Sequence, residues 1–239
     1  MARCARKFLS RLAATWVCSA AASAFAAPTP HVVPDTIAQR IQACTVCHGQ
    51  AGIVTQQGYF PRIAGKPAGY LYNQLRNFRD GRRNNTAMSA LVENMTDAYL
   101  LEIANHFASL DLPYPPPTVR AASAAELARG DVLVNQGDAA RGLPACARCH
   151  GAAMTGVAPA IPGLLGLPKD YLLAQFGAWR SGQRRAAPPD CMADISHRLS
   201  PQDLSAVATY LAQQTVPRDS KPATSVAMPL PLACGGVPQ

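Results

Sequence analysis

Cys44-Thr45-Val46-Cys47-His48-Gly49 and Cys146-Ala147-Arg148-Cys149-His150-Gly151 are two copies of one pattern, and Cys146 follows Cys44 by 102 positions. Cys-x-x-Cys-His is the attachment signal of c-type haem. Two thiols three positions apart form thioethers to the two vinyl groups of one porphyrin, and the adjacent imidazole supplies an axial nitrogen to its iron. A thioredoxin-like pair shares Cys-x-x-Cys but needs neither the His nor a second copy. A zinc site wants further Cys or His partners at metal spacing, whereas each pair here has a single adjacent His. Cys44, Cys47, Cys146 and Cys149 are therefore expected to hold two covalent haem c groups. His48 and His150 are expected as one ligand of each iron.

The repeat continues beyond these motifs. Pro61-Arg62-Ile63-Ala64-Gly65 faces Pro162-Gly163-Leu164-Leu165-Gly166. Tyr70-Leu71 faces Tyr171-Leu172, Gln74 faces Gln175, Phe78 faces Trp179 and Gly81 faces Gly182. Met88 lies 40 residues after His48 and faces Met192, 42 after His150. Their shared place assigns Met88 and Met192 as the second axial ligands. A thioether stabilises reduced iron and raises its potential. Met95 aligns with Leu199, which has no donor, and Met154 is too close to His150 to reach the far face. His106 aligns with Tyr210 and His197 with Glu93, while His31 stands alone near the start of the mature chain. No histidine repeats outside the motifs, which argues against bis-His coordination.

The fold class expected is all-α, with two tandem domains. Thr96 and Ser200 are helix N-caps, and Pro201 takes the favoured first helical position. Leu100, Ile103, Ala104 and Phe107 recur at helical spacing, as do Leu204, Val207, Ala208 and Leu211. Each copy reads as a helix, a haem-motif loop, a middle helix, a looping segment carrying the Met, and a final helix. Pro113, Pro115, Pro116 and Pro117 make a stiff linker. The expected boundaries are 27–112 for the first domain, 113–120 for the linker, 121–216 for the second domain and 217–239 for an irregular Pro-rich tail. Domains this small bury little apolar surface. With aromatic residues at 6% of the chain, a flat apolar cofactor supplies the missing core.

Residues 1–26 read as an export signal: Arg3, Arg6, Lys7 and Arg11, then an Ala-rich apolar run, then Ala24-Phe25-Ala26 at the cleavage point. The expected compartment is the periplasm. The formal charge of +8 overstates the mature chain: four of 22 basic residues lie in the signal, leaving 18 against 14 acidic. Haem propionates offset much of the remainder, and there is no basic patch of the kind that binds nucleic acid. Of eight cysteines, Cys4 and Cys18 leave with the signal and four belong to the motifs. Cys191 and Cys234 remain, a disulfide candidate in an oxidising compartment.

As a set, these motifs resemble the cytochrome c4 family of dihaem cytochromes. The resemblance runs from about Thr36 to Gln213. In the first half it rests on the Cys44 motif with Pro61, Ala64, Gly65, Tyr70, Leu71, Gln74, Leu75, Phe78, Arg79, Gly81, Arg83 and Met88. In the second it rests on Ala128, Gly130, Gly137, the Pro144 to Gly151 motif, Gly166, Tyr171, Gln175, Trp179, Gly182 and Met192. It implies two class I cytochrome folds packed as a pseudo-twofold pair, with haems near each other across the interface. The implied ligands are His48 with Met88 and His150 with Met192. The resemblance also implies a periplasmic carrier, in some cases peripherally membrane-associated, that takes electrons from a quinol–cytochrome c reductase and passes them toward a terminal oxidase.

The chain departs from that pattern in places. Cys191 directly precedes Met192, and the tail carrying Cys234 is longer than the family's. A disulfide between them is expected to clamp the tail across the second Met loop. The second copy has no clear match to Arg62 and has Gly177 inside its middle helix. Ile53, Val54 and Val157 are candidates for partner contact at the haem edges or for packing against haem. The function expected is electron carriage rather than catalysis. The alternatives are a cytochrome subunit of a periplasmic dehydrogenase, a dihaem peroxidase, which needs one iron with a displaceable ligand, and a disulfide oxidoreductase using bare thiols.

Overall fold

The computed structural model describes residues 34–53, 60–117, 121–225 and 229–237. The export signal 1–26, His31 and Val54 lie outside them. Residues from Pro34 onward form one unit, built from the two repeats packed face to face.

In the first repeat, α1 (Ile37–Arg40) and α2 (Gln42–His48) run into the haem motif. Thr36 caps α1 by accepting from the Gln39 amide, and α2 stops at Gly49, whose φ of 76° suits glycine. Then come α3 (Ala68–Arg79), α4 (Thr86–Val92) and α5 (Asp97–Ser109). The second repeat follows the same order: α6 (Ala124–Asn135), α7 (Ala147–His150), α8 (Lys169–Arg180), α9 (Cys191–Arg198) and α10 (Pro201–Gln213). The strands β1 (Gly156–Val157) and β2 (Ile161–Pro162) form a small antiparallel pair beside the second motif. Among the described residues no helix is long and apolar enough to cross a membrane.

The final helices take the places the sequence assigns. Thr96 and Ser200 cap α5 and α10, the latter in a capping box with Asp203. Leu100, Ile103, Ala104 and Phe107 are buried, as are Leu204, Val207, Ala208 and Leu211. Two expectations need correction. The haem motifs are helical rather than looped, because one turn of helix puts the two thiols on one face. The Met residues also sit in short helices, α4 and α9, begun by side-chain caps: Asn85 accepts from the Met88 amide at 3.0 Å and Asp190 from the Ala193 amide at 3.1 Å.

The repeats meet about a pseudo-twofold axis. Arg83 pairs with Arg184 in an antiparallel bridge. Around it the Asn84 amide donates to Gln183 O at 2.7 Å and the Arg185 amide to Arg82 O at 2.7 Å. Away from the axis, the Gly69 amide donates to Pro159 O at 2.9 Å, and buried Lys66 donates to Gly163 O at 3.1 Å. The linker is held by Arg62, which donates to Leu112 O and Pro113 O and stacks on Tyr114 at 3.8 Å. Arg62 without a counterpart is thus explained: only the first repeat has a linker to hold.

Candidate haem-binding site

One cavity of about 1360 Å³ runs through both repeats. A single small-molecule site is typically about 300–1,000 Å³, so this one suits two large groups. All eight residues singled out from the sequence line it: Cys44, Cys47, His48, Met88, Cys146, Cys149, His150 and Met192. The structure therefore brings each proposed set together. Met95 lines the cavity as well, whereas Met154 is 5% exposed in the core of the second repeat and stays outside it. His106 and His197 do not line it. Of the candidates for partner contact, Val157 is buried in β1 beside the second motif, and Ile53 is half-buried.

The histidines are prepared as ligands by the backbone. His48 Nδ1 donates to Pro61 O at 2.8 Å, and His150 Nδ1 donates to Pro162 O at 2.7 Å. With Nδ1–H engaged, the lone pair is on Nε2, the nitrogen left to bind metal. Burial lowers both histidines below their ordinary value, with the proline hydrogen bonds opposing it, so both imidazoles are neutral at pH 7. The repeated prolines at 61 and 162 thus have a role: their carbonyls fix the tautomer and the ring plane.

The thiols are unlike those of redox enzymes. Burial raises Cys44 and Cys149, and pushes Cys146 up to about 11. A catalytic Cys-x-x-Cys has a lowered thiol pKa instead. Cys191 and Cys234, in contrast, are joined in a disulfide.

The residues present fit haem on a further observation. Trp179 Nε1 is buried without an acceptor and lies in the cavity wall. Beside it Arg184 stacks on the indole at 3.9 Å, and its pseudo-twofold mate Arg83 stacks on Phe78 at 4.5 Å. Arg83 donates to Gln74 and Gln175, and Arg184 donates to the same two amides and to Tyr70. Among the described residues neither guanidinium meets a carboxylate. A cavity whose two cations face only neutral acceptors, beside an orphan indole N–H, matches groups that are flat, apolar and edged with carboxylates, as haem is. The sequence marks Tyr70, Gln74 and Phe78 as repeat matches and, with Arg83, as positions of the family resemblance. Their pairing across the axis needs the fold.

Comparison with known proteins places the chain among cytochromes. The family described as "Cytochrome C oxidase, cbb3-type, subunit III" matches residues 126–211. The thiosulfate dehydrogenase electron acceptor of Thiomonas intermedia is 38% identical over 72% of this chain and 78% of its own length. Cytochrome c4 of Pseudomonas aeruginosa is 32% identical over 76% of this chain and 89% of its own. Among solved structures, cytochrome c4 of Acidithiobacillus ferrooxidans superposes with a TM-score of 0.60 at 27% identity, over 73% of this chain and 99% of that one. Thiosulfate dehydrogenase of Marichromatium purpuratum superposes with a TM-score of 0.63 at 34% identity over 72% of this chain. This chain spans about a third of that one's length, 36%.

Proposed function

This chain belongs to the cytochrome c4 family, dihaem electron-transfer proteins with two covalently bound haem c groups, and from that premise we propose that it is the periplasmic electron acceptor of a dehydrogenase of the thiosulfate dehydrogenase kind, passing electrons on toward a terminal oxidase. The reading of the site is carried by one observation: two matched Cys, Cys, His and Met sets share one cavity. Cys44 and Cys47 would tether one haem and Cys146 and Cys149 the other. His48 and His150 would offer Nε2 to the irons, and Met88 and Met192 would offer sulfur. When bound, each haem supplies a reversible one-electron step.

The chain's own groups make that step fast rather than reactive. With one nitrogen and one sulfur donor assigned to each iron, the chain would offer peroxide no free position, which counts against a peroxidase. Apolar walls exclude water, so the surroundings reorganise little on electron transfer. Arg83 and Arg184 place positive charge in the cavity wall between the repeats. The donor assignment rests on the higher identity to proteins named thiosulfate dehydrogenase electron acceptor, 38% and 36%, than to those named cytochrome c4, 32% and below. A quinol-oxidising complex is the second reading, favoured by the near full-length match to cytochrome c4, 89% and 90% of those chains.

Stopped-flow mixing of the oxidised protein with each donor separates the two. A thiosulfate dehydrogenase with thiosulfate is expected to deliver two electrons per chain rapidly. Reduction by the quinol-oxidising complex alone overturns the dehydrogenase assignment and leaves the carrier function in place.

A further inference from the structure

The two Met-bearing helices are anchored differently. From Gly81 to Met88 the first repeat spans seven positions. There Ser89, the residue after the Met, donates its hydroxyl to Phe78 O at 3.2 Å and so pins α4 onto α3. From Gly182 to Met192 the second repeat spans ten positions, and the residue after the Met is Ala193, which has no hydroxyl. The second Met helix thus closes a longer loop, with more conformations to suppress, and lacks the corresponding tie.

A restraint comes instead from outside the repeat. Cys191, the residue before Met192, is joined to Cys234 of the tail, with Cα atoms 5.2 Å apart. Beyond the disulfide, the Gly235 amide donates to Pro189 O at 2.9 Å. The tail presses so close there that a Cβ on Gly235 would stand 2.1 Å from Pro188 O. Its next residue, Gly236, accepts through its carbonyl from Asn73 Nδ2 at 2.7 Å, on α3 of the other repeat. Leu230, Leu232 and Val237 line the haem cavity.

We propose that residues 229–237 are a strap, buckled by Cys191–Cys234, that positions Met192 on the second iron and closes its pocket, so that cleaving this one disulfide opens the sixth position of the second iron and leaves the first intact. The inference rests on the assignment of Met192 as a ligand. Cleavage by a dithiol consumes its two electrons and two protons: the protein disulfide becomes two thiols, and the dithiol becomes a disulfide. Met192 then sits at the start of α9 without its covalent buckle, the segment before it held by the Asp190 cap, and an external ligand competes with its sulfur.

The test uses the folded haem protein. One sample is reduced with dithiothreitol, alkylated with iodoacetamide and reoxidised with ferricyanide; a second is the Cys191→Ser/Cys234→Ser variant. Two readouts are taken: the weak red-edge absorption of Met bound to ferric iron, and carbon monoxide uptake by the reduced protein. Untreated protein is expected to show the band at full two-haem intensity and to take up no carbon monoxide. Both modified forms are expected to lose half the band and to bind one carbon monoxide per chain. An unchanged band with no uptake overturns the strap, and loss of the whole band overturns its selectivity. A band absent already in untreated protein removes the Met assignment itself, and is seen before any disulfide is touched. Should the serine variant misfold, the alkylated sample, folded beforehand, still decides.

Discussion

Asp203 shows how much one buried side chain holds in this molecule. It closes the capping box of α10 on the Ser200 amide at 3.2 Å and accepts from Arg129 at 2.8 Å and Arg141 at 2.7 Å. Burial opposes its ionisation, but the two guanidiniums and Ser200 outweigh that and hold the carboxyl far below the usual carboxylate range. Its folded value is therefore depressed below an unfolded value of about 4. The stabilisation it gives is complete above that pH and is lost as pH falls through and below it. Asp203→Asn is expected to cost about 2 kcal/mol at pH 7, in keeping with hydrogen bonds to charged groups. Urea unfolding of wild type and variant at pH 7 and pH 3 checks this: the gap between them should narrow at the lower pH. The haem-attachment motif is legible in sequence because its signal is local, five residues written twice. Asp203 is not, because its partners Arg129 and Arg141 come from other elements, and a capping aspartate looks the same whether or not two arginines reach it.

Two glycines on packed helices of the second repeat show how little sequence alone says about an element. Gly177 lies inside α8, where a Cβ would meet nothing within 4 Å, and its backbone is ordinary helix. Gly130 lies inside α6, where a Cβ would stand 2.4 Å from Ala206 O and 2.5 Å from Tyr210 Cβ of α10. Gly177→Ala is expected to stabilise by about 0.5–1 kcal/mol through lost unfolded-state entropy. Gly130→Ala is expected to destabilise by about 1–3 kcal/mol by forcing the helices apart. Thermal unfolding of the two haem-loaded variants should move the midpoint in opposite directions. Helix propensity treats both glycines alike, and only the crossing of α6 and α10 shows their different surroundings. The same gap explains the missed helices α4 and α9. Each is short and opens on a polar cap, Asn85 or Asp190, that reads equally well as a turn. The final helices were legible because thirteen residues carry enough periodicity to fix the buried face.

At the scale of the whole molecule, the repeats share more than a surface. Arg83 and Arg184 each donate to both Gln74 and Gln175, one from either repeat, so neither cation belongs to one haem alone. Arg184 is 6% exposed and faces only neutral acceptors within the protein, an arrangement that costs desolvation unless negative charge lies near. Haem carboxylates in the same cavity would supply that charge. In return, a fixed cation in a poorly hydrated wall favours the electron-rich state of each iron. A unit charge about 10–15 Å from an iron is worth about 1–2 kcal/mol at an effective dielectric of about 20, or roughly 50–70 mV for one electron. Arg184→Met is therefore expected to lower both midpoint potentials by tens of millivolts, not just that of the repeat it sits in. Redox titration of the variant, with the two haems resolved, tests this against a local role: a shift confined to one haem means that the axis pair does not act on the two sites together. The shared wall also ties this to electron flow, because a charge felt equally by both irons raises them together and leaves the difference between them unchanged.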